Sequence, residues 1–184
     1  MTQLKEKELF QVIQSVVQTV NMTVKIKQDD SGINMSYNFI GDYVGFDAKR
    51  LVEARNELML PTSLEIYVKT MTLHELGHAV DREALQASLP RTIEIFTMKK
   101  QHALKEIYRQ EQLLAMLIEE HEMNLQFEQT AWENAWMLNN THHLVPEKDF
   151  DNIKQHSLAT YQRLYEQDLQ AYHHLLNQQM VQLV

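Results

Sequence analysis

Between Leu4 and Val20 the apolar residues Leu9, Ile13, Val16, Val17 and Val20 recur every three to four positions, the spacing of one buried helical face. From Met22 to Lys27 the pattern shifts to alternation with β-branched residues, and Ile33 to Phe39 alternates again after the turn residues Asp29-Asp30-Ser31-Gly32. These two runs predict a β-hairpin, with a third short strand at Tyr43 to Phe46. Asp47 is placed to cap a helix reaching about Leu60, Pro61 ends it, and Thr62 or Ser63 then caps another. In that next helix Leu64, Tyr67, Val68, Met71, His74, Glu75 and His78 recur at helical spacing, while Leu73, Leu76, Val80 and Ala84 make a second apolar stripe around Gly77. A helix that is apolar on more than one side belongs at the centre of a fold.

After Pro90 a helical pattern runs to about Leu138, predicting one long helix or two with a break near Gln110. Asn139-Asn140-Thr141-His142-His143 reads as a loop, and Pro146 opens a last helix carrying Phe150, Ile153, Tyr161, Leu164, Tyr172, Leu175 and Leu176. The expected fold is therefore α+β and predominantly helical, with a small antiparallel sheet packed on a central helix and a long helix after it. With 184 residues, 44% of them hydrophobic, and no Pro/Gly/Ser-rich linker, a single domain over residues 1–184 is expected. Residues 146–184 form its C-terminal helix, which could cover a cleft, although core packing or a dimer surface is the simpler account of its amphipathic spacing.

Charge and composition narrow the chemistry. A net charge of -8 with no basic stripe argues against a nucleic-acid partner, because affinity for phosphate backbones rests on Lys and Arg. With no Cys, disulfides, thiolate metal ligands and cysteine nucleophiles are excluded, leaving His and carboxylates as the strong metal ligands. Met1 to Glu8 is charged where a secretory signal needs an apolar run, and no stretch approaches the ~18 uninterrupted apolar residues of a membrane span. A cytoplasmic protein with no membrane partner is the expectation, and its oligomeric state is left open.

The pentapeptide His74-Glu75-Leu76-Gly77-His78 is where spacing specifies a reaction. Residues four apart share a helical face, so His74 and His78 can present their imidazoles to one Zn²⁺, with Glu75 beside them. A zinc ion with three protein ligands keeps a fourth position for water, lowers that water's pKa to about 7, and leaves a neighbouring carboxylate to take its proton. The third ligand must come from elsewhere in the chain. Along the later helix the apolar stripe runs Leu114, Leu117, Ile118, His121, Leu125, Glu128, Trp132 and Ala135, and Glu128 is the only carboxylate on it. A carboxylate between Leu125 and Trp132 is costly unless paired, protonated or metal-bound. Glu128 is the first choice, an ion pair with Arg or Lys is its non-metal explanation, and Glu122 is the runner-up ligand. His121, on the same face, could orient Glu128 or stabilise an oxyanion, a role also open to His142 or His143, whereas a lone His on an apolar face is usually a satisfied core residue. Asp81 could accept the free N–H of a zinc histidine or simply cap the helix.

With H-E-L-G-H-A-V-D at His74 to Asp81 and E-Q-T-A-W-E-N-A at Glu128 to Ala135, the chain resembles the gluzincin-type zinc metallopeptidases, including their compact ImmA/IrrE-like and lethal-factor-type members. The resemblance implies that His74, His78 and Glu128 are zinc ligands, that Glu75 is the general base, and that the hairpin before the motif offers substrate an edge strand. The lethal-factor type carries a Tyr seven residues before the metal-binding Glu, where this chain has His121; thermolysin-like members carry an Asp four residues after it, where this chain has Trp132. Two functions are expected from these residues. One is a zinc peptidase, more an endopeptidase than an exopeptidase, acting on a protein or peptide. The other is an inactive regulatory or interaction protein of the same fold that keeps a structural zinc.

Overall fold

The structure, a computed structural model, describes residues 3–182. Met1, Thr2 and the last two residues of the expected C-terminal segment, Leu183 and Val184, lie outside the described residues. The chain is mostly helical with one small sheet. Its elements are α1 (Gln3–Thr19), β1 (Lys25–Gln28), β2 (Met35–Asn38), β3 (Tyr43–Phe46), α2 (Ala48–Asn56), α3 (Leu64–Val80), α4 (Arg82–Gln101), α5 (Leu104–Ile107), α6 (Glu111–His142) and α7 (Glu147–Gln182). It divides into two compact units, one made of Met1–Gln86 with Glu128–His156 and the other of Ala87–Phe127 with Ser157–Val184. Among the described residues no helix is long and apolar enough to cross a membrane.

The sheet departs from the expected antiparallel hairpin. Its strand order is β1-β3-β2, with β1 parallel to β3 (Ile26 opposite Val44) and β2 antiparallel to β3 (Met35 opposite Phe46). The runs read as a hairpin are thus separated by the third strand. Burial explains the order: Val44 and Phe46 are fully buried and take the centre, whereas β1 carries Lys25 and Lys27 on an exposed edge, where charge discourages further pairing. The turn predicted at Asp29–Gly32 does form, with Gly32 in the left-handed region at φ 76°. It does not close a hairpin, because the Asp29 N–H donates to Phe46 O and the Gly32 N–H donates to Asp47 Oδ2, pinning it to the end of β3.

Asp47 is the local organiser here. Its Oδ1 accepts the N–H groups of Lys49 and Arg50, capping α2 as the sequence predicts, while its other oxygen holds Gly32. These bonds, the one from Arg50 first, lower the Asp47 pKa below its ordinary value. In the first unit α1, whose Leu9, Ile13, Val16 and Val17 are buried, packs on α3, and β2, β3 and α2 also pack against α3. In the second unit Ile95, Met98, Ile107, Leu114 and Leu117 form a buried cluster that Ala171, Tyr172 and Leu175 of α7 cover.

Several helix boundaries differ from expectation: α2 ends at Asn56, short of the expected Leu60 and Pro61. Pro90 stands inside α4, which begins at Arg82, and the break foreseen near Gln110 is a short interruption between Gln101 and Glu111 that contains α5. Of the loop predicted at Asn139–His143, Asn139 to His142 are instead the last turn of α6. The buried Asn139 side chain exchanges hydrogen bonds with the backbone of Val145, at 2.9 Å in both directions, and His143 stops the helix in a left-handed conformation at φ 52°. The first turns of α7 are core: Phe150 and Ile153 are fully buried in the first unit. The rest of α7 belongs to the second unit.

Asp47→Ala should cost about 1–2 kcal/mol in urea unfolding, since it removes a helix cap and the anchor of a turn. A depressed carboxylate pKa stabilises the native state above its unfolded value and loses that contribution as the pH falls through the folded value. The difference between wild type and Asp47→Ala should therefore be full at neutral pH and shrink as the pH drops below 3.8. Truncation at Pro146 removes Phe150 and Ile153 and should unfold the first unit, read as loss of its cooperative thermal transition.

Candidate metal centre

Ser63 caps α3 by accepting the Ile66 N–H, and from Tyr67 to Gly77 nearly every residue of that helix is buried. This is the central helix that two apolar stripes require. The second stripe ends early, since Val80 is 55% exposed, Asp81 caps the helix and Ala84 is exposed on α4. A polar pair this deep needs partners, and α6 supplies them.

Gly77 brings α6 close. A Cβ at Gly77 would lie 2.1 Å from Ala131 O and 2.9 Å from Ala131 C, a clash with backbone that cannot swing aside. Asn134 Nδ2 donates to Gly77 O at 3.1 Å, tying the crossing one turn further on. One turn before Ala131 stands Glu128, so the contact that requires glycine also sets Glu128 opposite the two histidines.

His74 Nε2 lies 3.2 Å from Glu128 Oε2, and His78 Nε2 lies 3.4 Å from Glu128 Oε1. Among the described residues these three are the group of His and acidic side chains whose ligand atoms could hold one ion, all within 4.8 Å of one another. Donor atoms bound at 2.0–2.1 Å to a tetrahedral zinc stand about 3.3 Å apart, so both nitrogen–oxygen separations suit such an ion. The two imidazoles meet edge to face, with centroids 4.7 Å apart. Burial pushes the Glu128 pKa up, but hydrogen bonds to His74 and His78 outweigh it and hold the carboxyl well below the usual range. Burial pulls His78 down, yet its hydrogen bond to Glu128 and the charges of Glu75, Glu128 and Asp81 leave it raised on balance. The cluster thus holds a carboxylate ionised and aimed at two imidazoles, the donor set that suits a divalent cation.

Glu75 is 4% exposed, and its pKa is raised mainly because burial penalises its charge. His74, His78 and the backbone N–H of Tyr37 on β2 act in the opposite sense, and Glu128 adds to the rise. β2 is the edge strand on this side of the sheet. The hydroxyl of Tyr37 donates to Asp42, Arg82 bridges Asp42 at 3.2 Å, and Arg82 Nε donates to Phe39 O at 2.9 Å. This tie fastens the end of β2 to the residues just after α3. Burial first and Asp42 second push Tyr37 up to about 12, so it stays protonated as a donor.

The remaining expected residues are not members of the group that could hold an ion. His121 Nε2 is paired with Asp168 Oδ2 at 2.8 Å in the second unit, where Tyr108 also donates to Asp168. Glu122 accepts a hydrogen bond from Tyr165 in the same unit. His142 ends α6 and His143 follows it, outside the group that could hold an ion. Asp81 caps α3 and acts on His78 through its charge. Sequence reasoning missed Trp132 as a neighbour of the site: its ring stacks on His74 with centroids 4.3 Å apart and planes 21° apart. The helical stripe placed Trp132 on the Glu128 face, which was the available signal.

Comparison with known proteins found no matching family model, no matching curated protein and no matching solved structure. The reading of the centre therefore rests on its own geometry.

Gly77→Ala should destabilise the protein by about 3 kcal/mol or more, because the two helix backbones must separate to admit the methyl group. A urea midpoint unchanged from wild type would contradict the close crossing.

Proposed function

We propose that this protein is a zinc-dependent peptidase of zincin-like fold, with His74, His78 and Glu128 as metal ligands and Glu75 as general base. The observation that carries this reading is the convergence of both histidine Nε2 atoms on the two oxygens of Glu128, beside a second buried carboxylate that does not join them. A divalent cation held there would polarise a substrate carbonyl and acidify a water. Glu75, desolvated and raised, is suited to take that water's proton and pass it to the departing amine nitrogen, so that one peptide bond breaks and water is added across it. The Tyr37 N–H on the β2 edge keeps Glu75 oriented, and a strand edge can pair with an extended peptide. A protein or peptide substrate is the fitting class, and a cytoplasmic setting accords with the cysteine-free composition.

A second reading, a structural zinc in a regulatory or interaction protein, draws on burial, since His74, Glu75 and Glu128 are all at most 9% exposed. The two readings differ over Glu75. In a peptidase Glu75→Gln should keep about one zinc per chain and lower peptide hydrolysis by a factor on the order of 10² or more. His74→Ala and Glu128→Ala should lose the zinc. Elemental analysis of the four proteins, with hydrolysis of a peptide mixture followed by mass spectrometry, checks all of this. Zinc-loaded wild type that cleaves nothing would favour the structural reading, and wild type without zinc would remove both.

A further inference from the structure

A histidine that binds a metal through one ring nitrogen usually donates the other N–H to a carboxylate, carbonyl or water, which fixes the tautomer and the ring's orientation. His74 lacks that arrangement here. Its Nε2 faces Glu128, while its Nδ1 is buried and has no hydrogen-bond partner. What touches the imidazole instead is the face of Trp132, at 4.3 Å and nearly parallel. Trp132 is fully buried, its own Nε1 has no hydrogen-bond partner, and the ring of Phe150 closes on it edge-on at 5.5 Å and 84°. The Phe150–Trp132–His74 stack therefore leaves the imidazole little room to rotate.

We propose that Trp132 is a positioning residue: it orients the His74 imidazole by stacking, in place of a hydrogen-bond acceptor, and so strengthens the hold of His74 on a divalent cation. The inference rests on the metal-binding reading of His74, His78 and Glu128. Two effects give the stack its strength. A ring confined by packing is already in its binding geometry, so little rotational freedom is lost when a cation arrives. A cation on Nε2 also draws electron density from the imidazole, and an electron-poor ring is attracted more strongly to the electron-rich indole face. The protein has two tryptophans, and the other, Trp136, is 45% exposed, so Trp136→Phe isolates Trp132 as the single indole reporter.

The test uses the full chain and Co²⁺ as probe, with circular dichroism confirming that each variant is folded. Titrating Trp136→Phe with Co²⁺ should quench most of the Trp132 emission at one equivalent, because the open-shell ion is joined to the imidazole that the indole touches. Trp132→Leu should bind Co²⁺ more weakly by a factor on the order of ten, the usual effect of removing a group that orients a metal ligand. Trp132→Phe, which keeps an aromatic face, should stay within about threefold of wild type. A folded Trp132→Leu protein with wild-type Co²⁺ affinity overturns the inference while leaving the metal site standing. So does Trp132 emission that ignores Co²⁺ bound in a Glu128-dependent manner, a measurement that survives even if Trp132→Leu does not fold. Wild type that binds no Co²⁺ overturns the metal reading and this inference with it.

Discussion

The backbone contact between Gly77 and Ala131 is the constraint on which the rest of the centre depends. Where helices cross with ordinary side chains between them, their axes stand 8–10 Å apart, and residues one turn from the crossing meet only through long side chains. Here a missing Cβ lets the carbonyl of Ala131 occupy the space that a methyl group would fill. The short Glu128 side chain can then reach both His74 and His78, residues that flank Gly77 on its own helix. A methyl group at Gly77 would therefore act on the His74–His78–Glu128 cluster without touching any of its three side chains.

That proximity brings three ionisable side chains into a mostly apolar interior, which is costly unless they satisfy one another. Glu128 meets the cost by accepting from two imidazoles, and its pKa falls despite burial; Glu75, one residue from His74, has weaker compensation, and its pKa rises. Two carboxylates, one of which feels the other's charge, are thus driven in opposite directions by their surroundings. Such a division, with one carboxylate held ionised and the other raised by burial, is the kind of perturbation that gathers at functional sites. The stack of Phe150, Trp132 and His74 shows the same economy, since core packing in the first unit also covers one face of the His74 ring.

The sheet contributes less mass than position. By taking the centre, β3 leaves β2 as an edge whose Tyr37 backbone N–H offsets part of the rise in the Glu75 pKa, while the Tyr37 hydroxyl, Asp42 and Arg82 tie that strand to the chain just beyond α3. Asp47 does similar work at the other end of β3, joining a turn, a strand end and a helix start through one carboxylate.

The sequence by itself determined the features set by local periodicity. Apolar residues at helical spacing defined α1, α3 and the course of α6, Asp47 and Ser63 capped the helices that follow them, and the four-residue spacing of His74 and His78 placed both on one helical face. Glu128 was legible because a carboxylate on an apolar stripe is conspicuous. Partner choice across long sequence separations was decided only by tertiary structure. Strand order followed from which strand could bury both faces, so β3 came between two runs that local pattern joined as a hairpin. His121 shares a helical stripe with Glu128, yet the chain on either side of that stripe enters two different compact units, and His121 is satisfied by Asp168, 47 residues away. The Asn139 turn stayed helical because its side chain found the Val145 backbone, a pairing that residue type alone does not disclose. Trp132 offers the clearest case: periodicity gave its face, but only packing could show that the face meets a histidine ring. Periodicity is a property of neighbours along the chain, whereas these contacts depend on which buried surfaces compete for the same space.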